Sequence, residues 1–76
     1  MKLVLVENYI RTRQALYVRG KLVREENEGD GGRSYLVDFP DIMALANVPL
    51  QVLEVDPRWL RRRKHFPKEL ARVVTL

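Results

Sequence analysis

The residues best equipped for chemistry lie in one short segment, DPRWLRRRKHFPK at positions 56–68. It gathers Arg58, Arg61, Arg62, Arg63, Lys64 and Lys68 around Trp59 and His65, the only tryptophan and the only histidine in the chain. Guanidinium groups present forked donors that match phosphate or carboxylate, and ammonium groups add point charge. Anion binding is therefore the chemistry this segment favours. Catalysis is not expected: His65 and Ser34 are each the sole residue of their type, and such a pair supplies neither a nucleophile–base–orienter set nor a ligand set for a metal.

The segment carries its own structural signals. Asp56 accepts hydrogen bonds from the first free amides of a helix, and Pro57 suits the first helical position, where an amide would be unpaired anyway. Pro67 disfavours helical geometry at Phe66, so the expected helix runs from Pro57 to about His65. At about 100° per residue, Trp59, Leu60 and Phe66 share an apolar side. Trp59 and Phe66 are thus the expected anchors on the rest of the chain. Arg58, Arg61, Arg62 and His65 form the opposite face, flanked by Lys64. Arg63 falls inside the apolar stripe and must snorkel past Trp59 or stack on it. Beyond Pro67, KELARVVTL has Leu70, Val73 and Val74 at helical spacing and is read as a short helix, although RVVTL suits a strand equally.

What positions this segment is a β-rich body over residues 1–55. KLVLV (2–6) and YIRTR (9–13) read as strands. ALYVRGKLVRE places Leu16, Val18, Gly20 and Leu22 on one face and Tyr17, Arg19, Lys21 and Val23 on the other, the period of a half-buried strand with a bulge or bend at Gly20. A glycine-rich ENEGDGG connection and SYLVDF then complete an antiparallel hairpin with a long tip. DIMALAN forms one helical turn capped by Asp41, and VPLQVLEV a last strand, bent or covered on both sides, with the basic segment as its second cover. In YVRGKLV, YLVDF and VPLQVLEV, across residues 2–55, this pattern resembles the SH3-like small β-barrels of Tudor, KOW and related modules. The fold class implied is mainly β (β+α): a five-stranded SH3-like barrel or meander with a short C-terminal helical segment, an OB-like barrel being the other option.

Length and composition bound the rest. A chain of 76 residues, 46% hydrophobic and 32% charged, has room for one small core, so residues 56–76 are expected to pack on the same single domain as 1–55. There is no cysteine, so packing alone holds the fold. Glu7 and Asn8 interrupt the opening apolar run short of a signal-peptide core, and no stretch approaches bilayer length. A cytoplasmic protein without a membrane span is expected. Residues 1–57 hold seven Lys or Arg against nine Asp or Glu, while residues 58–76 hold seven against one. An acidic-leaning body with a basic arm commonly meets nucleic acid or an acidic protein surface.

Two further constellations stand apart from the basic segment. Tyr9, Tyr17 and Tyr35 are candidates for an exposed aromatic platform, against the more ordinary role of completing cross-strand pairs. Glu25, Glu26, Glu28 and Asp30 could approach a hard cation, but their spacing is not that of an EF-hand and a solvated tip explains them better. No metal or cofactor is expected. The functional expectation is a non-catalytic module that contacts DNA or RNA phosphates through residues 58–68, as an accessory or regulatory subunit. The alternative is an adaptor or inhibitor that docks its basic face or an edge strand on an acidic protein partner. Open strand edges leave room for a homo-dimer.

Overall fold

Four consecutive apolar residues open the first strand, and their burial explains why they do not alternate with polar ones. In the computed structural model, which describes residues 2–27 and 35–76, β1 (Leu3–Glu7) lies inside a four-stranded sheet with β2 (Gln14–Val18), β3 (Lys21–Glu26) and β4 (Gln51–Glu54), in the order β3-β2-β1-β4. Val4 and Val6 pack into the core on one face, and Leu5 joins Leu16 and Leu36 in the core on the other. A strand covered on both sides reads as a continuous hydrophobic run.

The sheet is mixed: β1 pairs antiparallel with β2 and parallel with β4, and β2 pairs antiparallel with β3. The architecture is mainly β with short helices, as expected. It is an open sheet of four strands, however, and the expected five-stranded barrel is corrected accordingly. Three local causes account for the difference. Residues 9–13 turn because the Asn8 side chain draws the backbone round: its Oδ1 accepts from the Thr12 and Arg13 amides at 2.9 and 3.0 Å. These amides are thereby diverted from a strand ladder.

The second cause lies at Arg19 and Gly20, whose φ angles of 53° and 80° give the chain two successive left-handed residues. That is the φ signature of a two-residue type I′ hairpin. Val18 consequently faces Lys21 across a tight turn, where a single bent strand was expected. Past the turn, Leu16 pairs with Arg24 but Tyr17 with Leu22. The extra residue, Val23, is a bulge that brings Leu22 onto the Tyr17 side. Of the expected long hairpin tip, residues 28–34 lie outside the described residues. Third, its return strand is absent, for Tyr35–Asp38 forms a 3-10 helix that leads into α1 (Phe39–Leu45). The helical turn expected in DIMALAN is present, but its N-cap is Asp38 and not Asp41.

After β4 the chain crosses one face of the sheet. A four-residue helix, α2 (Pro57–Leu60), begins at Asp56, whose Oδ1 accepts from the Arg58 amide at 2.9 Å. Leu60 and Phe66 are both buried among Val4, Val6, Ala15, Tyr17 and Val55. The chain then lies along β3, with Leu22 N donating to Lys68 O at 2.8 Å and Leu70 N to Gly20 O at 2.9 Å. In place of the short helix expected over KELARVVTL there is a three-residue 3-10 turn, Leu70–Arg72, followed by an isolated pairing of Thr75 with Val55 beside β4. Residues 56–76 therefore form a strap that touches both outer strands. Among the described residues, no helix is long and apolar enough to cross a membrane.

Candidate functional site

The expected helix over residues 57–65 stops at Leu60 because the chain that follows wraps around Arg13. This side chain stands at the entry to β2 and faces the strap. Its Nη1 donates to Leu60 O at 2.9 Å, while Nη2 donates to Arg63 O at 2.7 Å and Lys64 O at 3.1 Å. Nε donates to Asn27 Oδ1 at 2.7 Å, and the guanidinium carbon lies 5.7 Å from the centre of the Phe66 ring. A continuing helix would point those carbonyls along its own axis towards residues four further on. Gathered around one cation, they instead enforce a tight turn, which the Arg63 amide closes by donating to Leu60 O at 2.9 Å.

Two more side chains from the same face of the sheet complete the hold. Glu25 Oε2 accepts the Phe66 amide at 2.9 Å and an Asn27 Nδ2 hydrogen at 3.1 Å, and Glu25 Oε1 lies 3.0 Å from His65 Nδ1. The Tyr17 hydroxyl donates to Pro67 O at 2.7 Å. Burial, assisted by the nearby negative charge of Glu25 and opposed by Arg63, pushes the Tyr17 phenol up to about 12. It therefore remains a donor throughout the neutral range.

Because Arg13 and Tyr17 grip the strap by its backbone, most of its cationic side chains are left facing outwards. Arg61, Arg62, Lys64 and Lys68 are exposed, and their side chains make no ion pair or hydrogen bond with any described residue. Arg58 is 87% exposed, with only a 3.9 Å approach to Asp56. Arg63 stacks its guanidinium 4.7 Å from the centre of the Trp59 ring, one of the two dispositions expected for it. Trp59 itself is half-buried against the core. Arg58, Trp59, Arg62 and Arg63 line an open groove of about 540 Å³.

The tyrosine platform needs correction. Tyr17 is fully buried, since both faces of β2 are covered. Tyr9 is 76% exposed, and the side chain of Tyr35 lies outside the described residues, as do Ser34, Glu28 and Asp30. Among the described residues no three His, Cys, Asp or Glu side chains gather into a metal-binding group.

Sequence reasoning missed Arg13 altogether and weighed Glu25 only as part of an acidic tip that could approach a hard cation. Neither carries a local signal, because the carbonyls Arg13 holds lie 47 to 51 residues further along the chain. No protein-family model matches the chain, and no curated protein or solved structure shows a significant match to it.

Proposed function

We propose that this protein is a non-catalytic module that binds nucleic acid by its phosphates, using Arg58, Arg61, Arg62, Arg63, Lys64 and Lys68. The observation that carries the reading is a set of outward cations, of which Arg61, Arg62, Lys64 and Lys68 pair with no acid among the described residues, borne on a strap whose backbone Arg13 and Tyr17 hold. Cations carried on a backbone held in advance lose less backbone entropy on binding than those of a mobile tail. With about four or five phosphates neutralised, affinity for duplex DNA falls with salt at a log–log slope of about −4, and for a single strand at about −3. Titration of labelled oligonucleotides at several salt concentrations tests this. Saturable, salt-sensitive binding that Arg61→Ala with Arg62→Ala weakens supports the reading, and no binding at low salt refutes it.

One observation favours a second reading, a protein adaptor. β4 is an outer strand whose free side, among the described residues, is paired only at its end, where Leu76 N donates to Glu54 O. Its Val52 is 45% exposed. A partner's strand could extend the sheet there, and loss of partner capture on Val52→Lys would identify that mode.

A further inference from the structure

The groove beside Trp59 has a composition that a purely electrostatic surface does not need. Phosphate binding alone requires only cations. Here three guanidiniums surround the one indole in the chain, and one of them already lies over that ring. We infer that this groove is a subsite for one unpaired nucleotide, so that the nucleic acid bound is single-stranded. The base stacks on the Trp59–Arg63 pair while Arg58 and Arg62 bridge the adjoining phosphate. The inference rests on the nucleic-acid reading and narrows it to a substrate class.

Three features carry the choice. A groove of about 540 Å³ falls within the range of about 300–1,000 Å³ typical of small-ligand sites. An indole with a guanidinium against it offers a flat, polarisable surface, and only a base released from its duplex stack has a free face to lay on such a surface. Nor does the strap offer a means of reading a duplex: α2 has four residues, barely one turn, whereas major-groove recognition uses a protruding helix or a two-stranded ribbon. Arg61 and Lys64, exposed on the same turn, would continue the phosphate track beyond the subsite.

Because Trp59 is the only tryptophan, its emission reports on the subsite directly. The experiment titrates the intact protein with a dT12 oligonucleotide, with the dA12·dT12 duplex and with polyglutamate, at one fixed salt concentration. Expected are saturable quenching by dT12 and affinity at least about tenfold above that for the duplex, in keeping with stacking of one base. Trp59→Leu should lower dT12 affinity about tenfold by fluorescence anisotropy, with circular dichroism checking its fold. Arg62→Ala, at an exposed position, should weaken dT12 binding without altering the unfolding temperature. Equal affinity for single strand and duplex with unchanged emission would overturn the subsite and leave the nucleic-acid reading standing. Binding to neither would overturn both, and quenching by polyglutamate alone would transfer the groove to an acidic protein partner.

Discussion

Replacing Arg13 with alanine should damage the protein more than replacing any cation of the exposed array. The substitution removes three hydrogen bonds to backbone carbonyls, one to Asn27 and the contact with the Phe66 ring. The carbonyls of Arg63 and Lys64 are reached at exposed positions, so water replaces the guanidinium there at small cost. Leu60 O is part-buried and keeps the Arg63 amide as a donor, so it loses one of two partners; hydrogen bonds to a charged donor contribute about 1.5–3 kcal/mol each. Allowing for rehydration, the expected loss is about 2–3 kcal/mol. At about 4–8 °C per kcal/mol for a domain of this size, the unfolding temperature falls by roughly 10–20 °C. Thermal and urea unfolding followed by circular dichroism measure this. Arg13→Lys keeps the charge without the planar fork and should recover less than half of the loss. A variant Arg13→Ala within about 0.5 kcal/mol of the parent, the ordinary range for a surface substitution, would refute the idea that this side chain shapes the turn.

Other outcomes follow from the same geometry. Tyr17→Phe should cost about 1 kcal/mol, the usual net contribution of one hydrogen bond, through loss of the bond to Pro67 O. The phenol's value is raised on folding, from 10.0 to about 12, so the unfolded chain loses this proton first as pH climbs. The stability it contributes is present below pH 10 and is lost as pH rises through about 12; urea midpoints across that range should fall more steeply for the parent than for Tyr17→Phe. Gly20→Ala meets no neighbouring atom within 4 Å, yet puts a side chain at φ +80°. Denaturant unfolding should show a loss of about 1 kcal/mol, and no loss would mean that the hairpin turn is not what holds this conformation.

Parts of this fold were legible from local sequence alone. KLVLV announced a strand, and Asp56–Pro57 announced a helix start, because both effects act within a few residues. The hairpin at Arg19–Gly20 was misread for a physical reason. Alternation of side chains runs through LYVRGKLV whether the chain continues or reverses, and Arg in the first position lacks the Asn or Asp that commonly marks a type I′ turn. The basic segment stood out by composition, but its shape did not, since the helix propensity of LRRRK gave way to a cation supplied from across the sheet. Pro67 was a visible stop signal, and it was not the stop the chain used. Tyr17 escaped recognition as a core residue because the sequence shows one apolar face at a time, whereas β2 is roofed on both.

The parallel pairing of β1 with β4 joins Val4 to Gln51, and the grip of Arg13 on residues 60–64 spans a similar length of chain. Contacts so remote in sequence form late in folding, after large loops have closed. The charged turn is thus a product of the finished tertiary structure and has no autonomous existence as a peptide. A fragment spanning only residues 56–76 would keep every arginine of the array and lose the arrangement that sets it apart from any other polycation.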